Sequence, residues 1–373
     1  MKSALTVKNM TLATGLLLGM TAAAAETNDL AKAALAAGAL KPCCCCEASG
    51  SQMIYNPAFG DDIYHTHPAG GGMISYKYMH MSMDGLRAGT SRVGRNEVGF
   101  MRNKQYEYMM IPTSMDMDMH MLMAMYGVTD RFTVMAMGSY LVNDMDMLMD
   151  MGPMMPIRRE PTMHTEGWSD TELRGIYQVS DDFNGSLGLS LPTGDIEQSS
   201  KMMRWEFRDP YDMQLGSGSF DLKPALTYSH LTADKLWNWG SQAMYTWHTA
   251  ENQNDYRLGD SVKLDTWLQR ALGPASTWLR FGYSDTDRIH GRDPEIQKLL
   301  YHSDPMMPMK WAPTPDADPG NYGGQRLDCA LGVSFKVGPG SIGVEGGVPL
   351  YQDLNGLQLE TDWFLTVGAQ IMF

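Results

Sequence analysis

Leu357-Gln358-Leu359-Glu360-Thr361-Asp362-Trp363-Phe364-Leu365-Thr366-Val367-Gly368-Ala369-Gln370-Ile371-Met372-Phe373 is the stretch that decides the fold. Leu357, Leu359, Thr361, Trp363, Leu365, Val367, Ala369, Ile371 and Phe373 share one parity. Gln358, Glu360, Asp362, Phe364, Thr366, Gly368 and Gln370 share the other. Side chains alternate between the faces of a strand, so this is a strand with one apolar and one polar face. A soluble sandwich turns its polar face outward. Here the polar positions carry charge, Glu360 and Asp362, as a wet lumen allows, and the stretch ends on the aromatic Phe373.

Earlier blocks read the same way. Leu327, Cys329, Leu331, Val333, Phe335 and Val337 oppose Asp328, Ser334 and Lys336. Val262, Leu264, Thr266 and Leu268 oppose Lys263, Asp265 and Gln269. Tight turns at 127–130, 180–182, 232–235, 273–275 and 338–340 alternate with longer segments at 84–105, 152–168, 194–217, 251–255, 288–322 and 351–356. Short turns at one end and long loops at the other fit an outer-membrane barrel. The pattern predicts an all-β, closed antiparallel transmembrane barrel over 73–373, with about 12 strands. Closure satisfies every backbone group in lipid and leaves no edge.

Ahead of the barrel, Lys2 and Lys8 precede a short apolar stretch, and Ala22 to Ala25 offer a small-residue cleavage site. Residues 1–25 are read as a secretory signal peptide, and 26–72 as a periplasmic arm or plug. The 373 residues carry a net charge of -14. That acidity argues against a nucleic-acid surface. Mean hydropathy of -0.29 excludes a polytopic helical membrane protein. No phosphate-binding glycine loop, nucleophile elbow or zinc-hydrolase helix is present, so an enzyme is the least favoured class.

Of 34 methionines, 22 lie between residues 73 and 163. Met115, Met117, Met119, Met121, Met123 and Met125 occupy every second position, with Asp116, Asp118 and His120 between the first four. Since those aspartates should face water, this stripe is expected toward lipid. Met135 and Met137, and beyond them Met145, Met147 and Met149, are expected to point inward. A second reading is a soft-metal path, because thioethers select Cu(I) or Ag(I) with imidazole as a helper. Its candidate ligands are Met79, His80, Met81, Met83, Met145, Met147 and Met149, together with the run Cys43, Cys44, Cys45 and Cys46. In an oxidising compartment that run reads equally as disulfide-forming. Cys329 falls on an apolar parity and is read as inert. His65 and His67 form a candidate ligand pair, with a solvated loop as the plainer alternative. No cofactor is required by either reading.

Candidate lumen residues, taken from the polar parities, are Glu172, Arg174, Asp221, Lys223, Lys263, Asp265, Arg280, Asp328, Lys336, Glu345, Glu360 and Asp362. Opposite signs there can pair across the lumen and narrow it.

From about residue 70 onward the chain resembles the outer-membrane family named for the meta-pathway of phenol degradation, a group of fatty-acid-transporter-like barrels. The resemblance rests on Tyr126-Gly127-Val128-Thr129-Asp130-Arg131, Leu191-Pro192-Thr193-Gly194-Asp195 and Leu215-Gly216-Ser217-Gly218-Ser219-Phe220-Asp221. The stretch Ser75 to Gly85 looks like a Met-rich subgroup. The resemblance implies a transporter-like barrel for apolar aromatic compounds. Three functions follow as expectations: a channel for small hydrophobic molecules, a copper- or silver-handling barrel, and a structural barrel with a plugged lumen. The expected partners are outer-membrane lipid, the barrel-assembly machinery that reads an aromatic C-terminus, and a small-molecule or metal ligand. The expected location is the outer membrane of a Gram-negative bacterium.

Overall fold

A computed structural model describes residues 65–99, 104–150, 157–159, 162–202, 205–296 and 314–373. The signal peptide, most of the arm and Cys43 to Cys46 lie outside the described residues. The wall is built from β1 (Gly72–Gly89), β2 (Met110–Thr129), β3 (Phe132–Met149), β4 (Met163–Trp168), β5 (Thr171–Gln178) and β6 (Phe183–Leu191). It continues through β7 (Asp221–Leu231), β8 (Trp237–His248), β9 (Ser261–Leu272), β10 (Ala275–Thr286), β11 (Gly324–Val337) and β12 (Gly340–Met372). Each strand pairs antiparallel with its neighbour in sequence, and β12 pairs back onto β1 to close the sheet. β4 and β5 share one position, because both pair with β3.

That gives eleven strand positions, and the eleventh runs out and back. The first arm of β12 pairs with β11 from Gly340 to Leu354, and the second pairs with β1 from Leu354 to Met372. Gly356, at φ 84°, turns the chain. The arms lie side by side: Gln352 Nε2 donates to the Thr361 carbonyl at 2.9 Å, and the Thr361 amide donates back to Gln352 Oε1 at 3.0 Å. A Cβ at Gly347 would come within 2.2 Å of the Phe364 ring, so only glycine fits beneath it. The wall is thus crossed twelve times, and both of its ends lie at the end with the short turns.

The alternation is inverted relative to a soluble protein. On β9, Asp265, Trp267, Gln269 and Ala271 are buried, whereas Val262, Leu264, Leu268 and Leu272 are exposed. Leu331 and Phe335 on β11 are exposed, whereas Asp328, Ala330 and Ser334 are buried. A polar interior inside an apolar exterior is the arrangement lipid demands. Exposed Tyr245, Trp247 and Tyr351 stand near the long-loop end of this band, and Tyr177, Phe183 and Phe335 near the other, as interfacial aromatics do. Among the described residues no helix is long and apolar enough to cross a membrane.

The methionine stripe of β2 faces inward, which reverses the facing expected for it. Met115, Met123 and Met125 are buried, whereas Leu122 and Tyr126 are exposed. Asp116, Asp118 and His120 share the outward parity but sit toward the outer rim, where they are partnered. Tyr78 Oη donates to Asp118 at 2.5 Å, His80 Nδ1 lies 2.7 Å from the same oxygen, and Tyr76 Oη lies 2.7 Å from His120 Nδ1. The stretch of the same face nearer the short turns is Leu122, Ala124 and Tyr126, which suits hydrocarbon. The cost of charge on the outside depends on depth and falls toward the interface.

Candidate functional site

One side of the lumen is a wall of thioethers. Met83, Met115, Met145 and Met163 are register partners in succession across β1, β2, β3 and β4. Ten residues along β2, Met372, Met73, Met125 and Met135 form a second row across β12, β1, β2 and β3. Between the rows, Met117 pairs with Met81, Met119 with Met79, and Met123 with Met137. Cross-strand partners on one face hold their Cβ atoms about 4.5–5.5 Å apart. The inner face of β2 therefore carries a methionine on every rung between the two rows.

The outer-end row belongs to a cluster whose buried members are Met109, Met110, Met115, Met145, Met147, Met149, Met163 and Met213. Of the sequence-derived metal candidates, Met83, Met145, Met147 and Met149 meet there, and Met79 and Met81 stand on the rungs below. His80 does not join them. It lies on the outward parity, bonded to Asp118 and against Trp363 with ring centroids 5.0 Å apart. No bulge interrupts the register from Met79 to Met81, so His80 takes the face opposite to theirs.

The other side of the lumen is polar and ion-paired. Glu172 bonds Arg174 at 2.8 Å and Lys223 at 3.0 Å. Arg280 bridges Asp265 at 2.7 Å and Glu345 at 2.5 Å, and Trp278 Nε1 donates to Glu345 at 2.6 Å. Lys263 stands 3.7 Å from Asp265. Asp328 accepts from Arg326 at 3.0 Å, and Asp221 pairs with His248 at 2.9 Å. Three of these pairs lie within one strand, two join neighbouring strands, and Lys223–Glu172 and Arg280–Glu345 skip one strand. Lys336 is exposed, close to the β11–β12 turn.

Glu360 and Asp362 depart from the lumen parity. The register slips at Met83–Leu86 on β1 and between Thr361 and Trp363 on β12, and each bulge shifts the faces by one residue. Thr361 takes the inward position and accepts from Arg326 Nη1 at 3.1 Å. Glu360 instead pairs with Arg87 at 2.7 Å and with Arg92. Asp362 is exposed. Sequence reasoning also missed Lys77, Trp267 and Trp278, all buried on inward parities. For Lys77 the signal was its shared parity with Met73 and Met79.

Both mouths are covered. Residues before β1 cross the short-turn end: the His67 amide donates to Thr133 Oγ1 at 2.8 Å, and the Gly70 amide to the Gly127 carbonyl at 2.9 Å. His65 and His67 lie edge to face with centroids 4.9 Å apart. Burial lowers His65 to about 4 and His67 to about 3, so both are neutral imidazoles, not a solvated pair. At the outer end, Tyr211, Tyr256, Ile289, Ile296 and Ala317 from several loops form a lid. Met213, from the same short turn as Tyr211, is buried in the outer methionine cluster.

The lid carries three displaced carboxyls. Burial pushes Asp209 and Asp316 up to about 6, and burial together with the Asp316 charge pushes Asp212 up to about 7. The folded lid thus favours the protonated acids. Their contribution to its stability is complete below the ordinary aspartate range and is lost as pH rises through about 6 to 7. Amide protection factors over 208–216 and 314–322, corrected for the intrinsic rise of exchange with pH, are therefore expected to be lower on the alkaline side of that window. Equal protection on both sides would remove the acids from the account of lid closure.

Cys329 lies on the outer parity opposite Phe281 of β10. Among the described residues no group of three or more His, Cys, Asp or Glu side chains converges as a metal site.

The barrel is similar to an outer-membrane channel from Pseudomonas putida F1, with a TM-score of 0.54 and 13% identity over 86% of this chain and 100% of that one. That likeness shows a shared fold. A monoaromatic hydrocarbon channel, CymD, gives 0.42 and 8% identity over 82% of this chain and 89% of that one. A Pseudomonas aeruginosa FadL homologue gives 0.37 and 10% identity over 82% and 90%. No family model and no curated protein matches the sequence, so the resemblance to the phenol-pathway family stands on its quoted motifs alone. The fold and the exposed apolar band make this a closed β-barrel of the outer-membrane type.

Proposed function

We propose that the barrel passes or binds small hydrophobic or aromatic compounds along its methionine wall. The observation that carries this reading is the unbroken, uncharged inner face of β2, from Met115 to Met125. An apolar solute in a water-filled pore gains nothing from paired ions, but it gains contact from flexible, polarisable thioethers. Sulfur–aromatic contacts are worth about 0.3–1.5 kcal/mol each. The ion-paired wall opposite holds its charges against one another and leaves the methionine side as the apolar track. The phenol-pathway resemblance points to the same solute class.

Uptake of labelled toluene by intact cells of a porin-depleted Gram-negative host tests this. Cells making the full chain should take it up faster than cells without it, and Met119→Lys should reduce the gain by adding a second cation one rung from Lys77, the register partner of Met121. Uptake no faster than in cells lacking the protein would leave a plugged, structural barrel. The covered mouths would then be permanent.

A further inference from the structure

We infer that the outer methionine row is a binding site for a soft monovalent cation, Cu(I) or Ag(I), held by thioether sulfur alone. The inference goes beyond passage of apolar solutes and does not rest on it.

Packing alone would select other side chains. A core needs volume and defined rotamers, which Leu, Ile and Val supply better than the flexible methionine. The outward face of the same strands follows that rule, with Ile74, Leu122, Ala124, Tyr126 and Val134. The inward face does not. Every buried member of the outer cluster is methionine. Near the short turns both faces are apolar and the inner one alone carries sulfur; at the outer row the outward face turns polar, with Asp116 and Asp144, while the methionines continue inward unchanged.

Geometry then supplies convergence. Met83, Met115, Met145 and Met163 stand on four adjacent strands at one level and share a face. Long unbranched arms from neighbouring rungs can bring two or three sulfurs onto one ion. Met213 reaches the same cluster from the lid. Thioethers are soft and neutral, and so favour Cu(I) or Ag(I) over hard or more highly charged ions.

Electrostatics separates this row from its counterpart. Asp150 directly follows Met149 and is fully buried, with its amide on the Met109 carbonyl at 2.8 Å. Arg158 is the register partner of Met149 beside it, whereas Met83, Met115, Met145 and Met163 have no cation among their own register partners. The inner row is flanked by cations: Met135 is the register partner of Arg174, and Lys77 is buried on the same inward face of β1. Arg174 already donates to the Met244 sulfur at 3.5 Å. The outer row is therefore the stronger site. His80 is not a ligand, since it faces the other way.

The test uses the full chain in detergent, with Cys43, Cys44, Cys45, Cys46 and Cys329 changed to Ser so that no thiolate competes. Ag(I) is titrated against a chromophoric competitor. This protein should bind Ag(I) equally well at acidic and neutral pH, because thioethers do not titrate. Changing Met83, Met115, Met145 and Met163 together to Leu should abolish that binding, while Met73→Leu with Met125→Leu should retain it. Ag(I) binding by the purified protein is read without any apolar solute, so its failure leaves the toluene result standing and a failed uptake assay leaves the silver result standing. A selenomethionine form covers the case in which the row variant does not fold, because X-ray absorption should then show selenium neighbours around the bound silver. Unchanged binding by a folded row variant, no binding by the parent, or silver without selenium neighbours would each overturn the site.

Discussion

Arg280→Met is expected to destabilise the barrel by about 3–5 kcal/mol, the cost of breaking a buried ion pair from one side. Arg280 bonds Asp265 at 2.7 Å through Nη1 and Glu345 at 2.5 Å through Nη2. The carboxylate side chains are only 3% and 0% exposed. Removing the guanidinium leaves two like charges facing each other out of bulk water. Trp278 Nε1, at 2.6 Å from Glu345, answers one oxygen, and Lys263, 3.7 Å from Asp265 and about one-third exposed, replaces only part of the lost charge. Urea unfolding in lipid vesicles should show a large drop in midpoint. Adding Asp265→Asn and Glu345→Gln should restore much of it, because the penalty comes from the stranded charges and not from the lost pair. An unchanged midpoint in the single variant would mean that the network is wet and contributes nothing.

That network was largely legible as sequence, and the reason is physical. Asp265, Arg280 and Glu345 sit on strands whose alternate residues are Leu264, Leu279 and Val344, so lipid on one side forces the charges to the other. The methionine stripe was not legible in the same way. A thioether is acceptable on either face, so Met115 to Met125 follow whichever parity their neighbours impose. The deciding neighbours were Leu122, Ala124 and Tyr126 near the short turns, not Asp116 and Asp118 near the rim. Bulges hid the placement of Glu360 and Asp362, because one extra residue reverses every face beyond it. The lid was invisible for another reason. Its contacts join residues far apart in the chain, such as Tyr108 to Asn321 at 2.8 Å and Tyr211 to Tyr256 with rings 4.9 Å apart. No local period encodes them.

The exterior gives the last expected result. Leu268, Leu279 and Leu331 are register partners in succession across β9, β10 and β11, on the outward parity near the middle of the band. Leu331 is 65% exposed in the absence of lipid. Leu331→Arg should therefore lower folding stability in bilayers by about 2–4 kcal/mol, the cost of a guanidinium at mid-depth, whereas a charge near either interface costs about 0–1. Val337, on the same parity at the end of β11, provides the comparison, and Val337→Arg should fall in the smaller range. The two variants carry the same charge on the same strand and differ only in depth. A cost that depends on depth can come only from a wall in contact with hydrocarbon. Reversible folding into short-chain phospholipid vesicles, followed by tryptophan fluorescence, measures both. Equal costs at the two positions would mean that this face meets water or protein along its whole height, and the lipid-facing assignment would have to be withdrawn for that side of the barrel.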